Sequence, residues 1–135
     1  MGGRDLPPTT YHLSLCIMVS QPPLLDDSAL ERLRSFGGQK LLNGMIELFV
    51  NNAPTRAADA REALDCGDAA ALRAALHALK SSAGQLGAKT VHQACVAGEE
   101  LASRGELGAC TTHVQRIETD LPIACEQLET IRKAD

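Results

Sequence analysis

The chain has 135 residues, of which 44% are hydrophobic and 22% charged, as expected for a single globular domain. Aromatic residues make up only 2% and Trp is absent, so the composition favours helices over strands, which are rich in aromatic and β-branched residues. The net charge of −4 excludes a general nucleic-acid surface, because such a surface needs clustered Lys and Arg.

The first 25 residues differ from the rest of the chain. Their most apolar run, residues 13–19, is much shorter than the roughly 20 residues of a membrane span. Its proline-containing flanks do not suit a signal peptide. We therefore predict that residues 1–25 form a linker or N-terminal extension, that residues 26–135 form the folded domain, and that no segment inserts into a membrane.

The cysteines show neither a CxxC pair nor the spacing of a zinc site. Three of them fall among apolar residues, where a thiol behaves as a small hydrophobic group. This pattern predicts reduced cysteines in a cytoplasmic protein. The five are Cys16, Cys66, Cys95, Cys110 and Cys125.

Three helices are predicted between residues 26 and 67. The first begins at Ser28, whose spacing from Glu31 is that of a capping box, and ends at Gly38. The second ends just before Pro54, which suits the first turn of a third helix. The third is rich in Ala and ends at Gly67.

Three further helices follow, separated by short loops. Asp68 is a good N-cap for the fourth helix, which ends at Gly87. The fifth ends at Gly105 and contains Gly98, which costs about 1 kcal/mol relative to Ala and suggests a close helix–helix approach. The sixth keeps the phase of its apolar seam across Pro122, so we expect one kinked helix. That seam consists of Leu107, Cys110, Val114, Ile117, Leu121, Ala124, Leu128 and Ile131.

The fold class follows from these helices and their loops. Short loops between long amphipathic helices favour antiparallel neighbours. We predict an all-α fold: an antiparallel up-down four-helix bundle made by the last four helices, with the two N-terminal helices covering one end.

His77 has the most distinctive surroundings of the four histidines. On a helical projection that starts at the core residue Leu72, His77 falls at about 140°, away from the apolar face. Arg73, Lys80 and Gly84 fall at about 100°, 80° and 120° on the same flank. A neutral imidazole flanked by cations suits a phosphoryl acceptor, because positioning and positive charge carry most of the catalysis of phosphoryl transfer.

Residues 77–88 read HALKSSAGQLGA. This stretch resembles the signature of the histidine-containing phosphotransfer (HPt) domains of bacterial multistep phosphorelays, in which a histidine is followed by Leu, Lys, Gly and small residues and then by an apolar-Gly pair. His77 and Lys80 match the phosphorylated histidine and the lysine. Ser81 departs from the usual glycine. The resemblance extends more loosely over about residues 26–133.

The resemblance implies a phosphocarrier without autonomous catalytic activity or a cofactor of its own. Its partners would be response-regulator receiver domains, including one of a hybrid sensor histidine kinase, whose aspartate and Mg²⁺ perform the catalysis. Apart from the resemblance, Lys80 at i+3 from His77 would reach the phosphoryl oxygens. Its removal should slow transfer with little change in melting temperature. Arg73 would support the site as the second flanking cation. Glu99 matches a position that in some relatives holds a side chain oriented toward the imidazole. Gly84 and Ser81 would leave room for a docking receiver.

Three other interpretations remain open at the level of sequence. The chain could be a helical interaction module that is not phosphorylated. It could be a histidine kinase dimerisation domain, although Ala78 stands where an acidic neighbour is usual. It could be a metal or haem bundle, which requires inward-facing ligands, whereas His77 is predicted to face outward. The remaining histidines (His12, His92 and His113) lack partners at metal-ligand spacing, so we expect no metal site.

Overall fold

A computed structural model describes residues 24–133 of the chain. They form four α-helices, which we number in chain order: α1 (Asp27–Cys66), α2 (Ala69–Gln85), α3 (Lys89–Ser103) and α4 (Leu107–Lys133). Each helix packs against the next in sequence, and α1 and α4 close the bundle. The predicted all-α four-helix bundle is therefore confirmed. The expected extension over residues 1–25 lies almost entirely outside the described residues.

Helix α1 replaces the three helices that the sequence predicts between residues 26 and 67. The chain bends at Gly38, whose φ of 77° and ψ of −178° are not helical, but the helix resumes immediately. Pro54 lies inside the helix and does not begin a new one. The reason is that the apolar seam continues through the proline, since Phe49, Ala53 and Ala57 are all buried. Burial of that seam offsets the one backbone hydrogen bond that proline removes.

The start of α1 is capped by a different residue from the one predicted. The carboxylate of Asp26 accepts a hydrogen bond from the backbone N–H of Ser28, at 3.0 Å, so Asp26 is the N-cap and Ser28 lies inside the helix. At the next helix the prediction is confirmed, because Asp68 caps α2 by accepting from the N–H of Ala71 at 3.0 Å. Helix α4 runs unbroken through Pro122, as one helix and not two.

The N-terminal part of the described chain covers one end of the bundle, at the loop between α2 and α3. The N–H of Asp26 donates to the carbonyl of Gly87 at 2.7 Å, and the N–H of Lys89 donates to the carbonyl of Leu24 at 3.1 Å. Leu25 and Leu30 add buried side chains to the core. This cover fixes the C-terminal end of α2 relative to the start of α3.

Helices α2 and α3 approach each other closely at Gly98, as its position within a helix predicted. A Cβ atom at Gly98 would lie 2.9 Å from Cδ1 of Leu76, so only glycine leaves room for that leucine. Leu76 is fully buried and directly precedes His77. The packing of Leu76 therefore turns the next side chain outward. Within residues 24–133, no helix is both long and apolar enough to cross a membrane.

Candidate functional site

His77 lies in the middle of α2 and projects into solvent. Its neighbours Leu76 and Leu79 are completely buried, whereas the side chain of His77 is 62% exposed. A partner molecule can therefore reach the imidazole without any rearrangement of the bundle. The outward orientation predicted from the helical projection is the one that the structure has.

A carboxylate on the neighbouring helix contacts the imidazole. Nδ1 of His77 lies 2.8 Å from Oε2 of Glu99 on α3. The other oxygen of the same carboxylate, Oε1, lies 2.7 Å from Nζ of Lys80. Glu99 thus bridges two side chains that stand one helical turn apart on α2. The His77–Glu99–Lys80 triad, as we call these three residues, is the centre of the candidate site.

The triad is arranged around an ionised carboxylate. Partial burial would raise the pKa of the Glu99 carboxyl, but the ion pair with Lys80 and the hydrogen bond with His77 outweigh it and hold that pKa below its ordinary value. An ionised carboxylate can only accept hydrogen bonds, so Nδ1 of His77 must carry the proton. The neutral imidazole then has its lone pair on Nε2, the nitrogen directed away from Glu99.

Arg73 borders the same surface as His77 but is not part of the triad. It lies one turn before His77 on α2, is exposed, and forms no ion pair or hydrogen bond with any residue in 24–133. A shallow depression of about 380 Å³ opens beside the imidazole. Its lining residues are Ala70, Arg73, Ala74, His77, Ala78 and Glu99.

The two residues predicted to leave room for a partner have intramolecular contacts of their own. The hydroxyl of Ser81 donates to the backbone carbonyl of His77, at 3.3 Å. Gly84 is exposed, but a Cβ atom placed there would lie 3.1 Å from Cδ2 of His92 on α3. A side chain at position 84 would therefore meet the ring of His92 at its first carbon, although the position itself is exposed. A docking role for either residue stays a prediction.

Cys95 packs below the triad on α3. Burial, together with the nearby negative charge of Glu99, raises the pKa of this thiol to about 12, so it stays protonated and unreactive. Cys110 is also buried, Cys125 is partly buried and Cys66 is exposed, and all four are free thiols. Cys16 lies outside the described residues. None of the four described thiols lines the depression beside His77.

The described residues contain no group of three or more His, Cys, Asp or Glu side chains placed to hold a metal ion. The contacts made by Glu99 and His92 were beyond sequence reasoning, because each joins two helices and no local pattern marks it. Glu99 was named from the sequence only because it matches a position in the family that the chain resembles. Chemically, the arrangement offers one exposed nucleophilic nitrogen, a carboxylate to fix its tautomer, and an unpaired guanidinium beside it.

Comparisons with known proteins connect this geometry with a family. The model of the Hpt domain family matches residues 44–133. The crystal structure of histidine-containing phosphotransfer protein B (HptB) from Pseudomonas aeruginosa PAO1 superposes with a TM-score of 0.78 at 28% sequence identity. That match covers 85% of this chain and 99% of the HptB chain. No curated protein sequence matches.

Proposed function

The chain belongs to the Hpt domain family, and from that membership we propose that His77 accepts a phosphoryl group from the aspartate of one receiver domain and passes it to another. Family membership carries a phosphotransfer role in a phosphorelay. The observation that supports His77 as the acceptor is its contact with Glu99, which occupies Nδ1 of an exposed imidazole and directs Nε2 away from the carboxylate.

Acceptance of the phosphoryl group follows from this tautomer. The lone pair of Nε2 attacks phosphorus in line with the bond to the donor aspartate, the N–P bond forms, and the P–O bond breaks as the aspartate leaves as a carboxylate. The proton on Nδ1 stays in place, so no proton has to be removed. The ring becomes positively charged, and the adjacent Glu99 carboxylate stabilises that charge at 2.8 Å. Donation to the second receiver is the reverse reaction.

We assign the rest of the catalysis to the partner. The donor aspartate and its Mg²⁺ belong to the receiver, so this chain is a phosphocarrier without activity of its own and without a cofactor. We place the exchange in the cytoplasm, and a receiver of a hybrid sensor histidine kinase is one partner of the expected kind. Ser81 and Gly84 lie one and two turns beyond His77 on α2, where a docked receiver would cover them.

Labelling with a phosphorylated receiver tests the proposal. We expect a receiver carrying ³²P-phosphate, in the presence of Mg²⁺, to transfer an acid-labile label to the wild-type chain and not to His77→Gln. His113→Gln is the matched control, because His113 lies on α4 and should be dispensable. Label that persists in His77→Gln would show that another residue is the acceptor.

Two further experiments distinguish the phosphocarrier from a kinase and from a helical interaction module. ATP and Mg²⁺ without a receiver should leave the chain unlabelled, whereas labelling by ATP alone would indicate a kinase. A panel of phosphorylated receivers that bind the chain but never label it would favour the helical interaction module. Phosphorelay receivers differ in specificity, so the panel should include receivers from hybrid kinases as well as free-standing response regulators.

A further inference from the structure

Two cations stand on either side of His77, and the structure distinguishes their roles. We infer that Arg73 is the side chain that binds the phosphoryl group on His77, and that Lys80 is a positioning residue that holds Glu99. The inference rests on the proposed function, because it names the residue that recognises the phosphoryl group at that site. It also reverses the role that the spacing of Lys80 from His77 predicts for this lysine.

Lys80 is already engaged in the unphosphorylated protein. Its Nζ lies 2.7 Å from Oε1 of Glu99, and the Glu99 side chain is only 15% exposed. If Lys80 moved to a phosphoryl group, this half-buried carboxylate would lose its positively charged partner. The Lys80–Glu99 pair therefore stays together, with its two charges cancelling, and Glu99 remains in position to bind Nδ1 of His77.

Arg73 is the positive charge that remains uncompensated. It forms no ion pair with any residue in the described part of the chain, and it lines the depression beside His77. Since Nδ1 faces Glu99 on α3, a phosphoryl group on Nε2 projects away from that carboxylate and into the solvent-exposed side of the site. A guanidinium presents several donors in a planar fork and binds two phosphoryl oxygens at once, which suits this position.

Charge balance supports the same division of roles. A phosphoryl group brings close to two negative charges at neutral pH. Around the phosphorylated His77, the positive ring and Lys80 together exceed the charge of Glu99 by only one, so without Arg73 the two negative charges of the phosphoryl group would not be fully balanced. Arg73 is one helical turn from His77, and side chains at this spacing are neighbours on a helix surface.

A small phosphoryl donor separates phosphoryl binding from receiver docking. Phosphoramidate transfers its phosphoryl group directly to histidine: the N–P bond to Nε2 forms, the bond to the protonated nitrogen of the zwitterionic donor breaks, and that nitrogen leaves as ammonia. We would measure the rate of labelling of His77 by phosphoramidate. On the labelled protein, a ³¹P NMR titration would give the pH at which the doubly charged phosphoryl group takes up a proton.

In Arg73→Ala we expect labelling to slow about tenfold, as for loss of a hydrogen bond to a charged group, and protonation of the phosphoryl group to shift to higher pH. Arg73→Lys should restore part of the labelling rate and part of the titration, because it keeps the positive charge but lacks the planar set of donors of the guanidinium. In Lys80→Ala the ³¹P titration should shift clearly less than in Arg73→Ala, because only the uncompensated charge of Glu99 then acts on the phosphoryl group. Arg32→Ala, which removes an exposed arginine from the N-terminal turns of α1, gives the baseline.

The outcomes distinguish this inference from the proposed function. If His77 is labelled but Arg73→Ala leaves the rate and the titration unchanged, the role of Arg73 is refuted while the phosphoryl acceptor stands. If Lys80→Ala shifts the titration and Arg73→Ala does not, Lys80 is the phosphoryl-binding residue. If neither phosphoramidate nor any phosphorylated receiver labels His77, the proposed function itself fails, and the inference fails with it.

Discussion

At the scale of one residue, the ion pair of Lys80 with Glu99 on α3 changes the stability that the sequence predicts for a Lys80 variant. The sequence predicts that Lys80→Ala leaves stability unchanged, because the side chain lies on the solvent flank of α2. The ion pair with Glu99 predicts instead that the free energy of unfolding falls by about 1 kcal/mol at pH 7, because a half-buried carboxylate loses its partner. Urea unfolding measures the loss, with the exposed Lys40→Ala as the matched control.

The same change has a defined pH dependence. The pKa of Glu99 is lowered in the folded protein, so its interactions stabilise the fold above its ordinary pKa and are lost as the pH falls through the lower, folded value. The difference between wild type and Lys80→Ala should therefore shrink in acid. Equal stabilities of Lys80→Ala and Lys40→Ala at pH 7 would mean that the ion pair contributes nothing measurable.

Gly84 provides a second prediction at the residue scale. Here the helix propensity of α2 and the steric contact with α3 have opposite effects on stability. Replacing a helical glycine by alanine stabilises a helix by about 1 kcal/mol. At position 84, however, the new Cβ atom would stand 3.1 Å from the ring of His92. We expect Gly84→Ala to be distinctly more stabilising in a His92→Ala background than in the wild type, because the smaller residue removes the steric conflict.

A double-mutant cycle of melting temperatures tests this coupling. The four proteins are the wild type, Gly84→Ala, His92→Ala and the double variant. Additive effects would show that His92 moves aside without cost. Receiver-dependent labelling of the same four proteins would show separately whether the space at Gly84 also serves a partner.

At the scale of one element, the long helix α1 contains two glycines with opposite roles. Gly38 has a φ of 77° and a ψ of −178°, a conformation that is almost confined to glycine and costs other residues roughly 1–3 kcal/mol. Gly44 lies in the regular part of the helix, and a Cβ atom there would meet nothing within 4 Å. We expect Gly38→Ala to destabilise the protein by about 2 kcal/mol and Gly44→Ala to stabilise it by about 1 kcal/mol.

The pair is its own control, because both changes add one methyl group to the same helix. Chemical denaturation of the two variants side by side gives the comparison. A stabilising Gly38→Ala would mean that the bend at Gly38 is not needed and that α1 can straighten. In that case the N-terminal turns would no longer have to fold back over the α2–α3 loop.

At the scale of the whole molecule, one ion pair joins the two helices that close the bundle. Arg61 on α1 donates two hydrogen bonds to Glu118 on α4, at 2.9 and 2.8 Å. These bonds hold the pKa of the Glu118 carboxyl below its ordinary value. The pair therefore stabilises the fold at neutral pH, and its contribution is lost as the pH falls through the folded pKa of Glu118.

Glu118→Gln should lower the melting temperature at pH 7 and weaken the dependence of stability on pH in the acid range. The two proteins should converge at low pH, where the wild-type carboxylate is also protonated. Glu126→Gln is the control, because Glu126 is exposed on the same helix and forms no ion pair within residues 24–133. Equal acid profiles for Glu118→Gln and Glu126→Gln would show that the pair is screened by solvent.

The sequence alone predicted the class of fold, the run of α2 to α4 and the outward position of His77. Each of these depends on local or periodic information: a capping aspartate at Asp68, glycines at helix ends, and apolar residues every three or four positions. The prediction failed between residues 26 and 67. Gly38 and Pro54 were interpreted there as helix ends, although burial of a continuous seam carries α1 past both.

Tertiary structure decided what His77 contacts. Neither the pairing of Glu99 with both His77 and Lys80 nor the approach of Gly84 to His92 follows from spacing along the chain. Each depends on how α2 and α3 are rotated and shifted against one another. Close packing at Gly98 and the cover over the α2–α3 loop set that geometry. Hydrophobic periodicity specifies which face of a helix is buried, but only the assembled core determines which polar side chains meet at its edge.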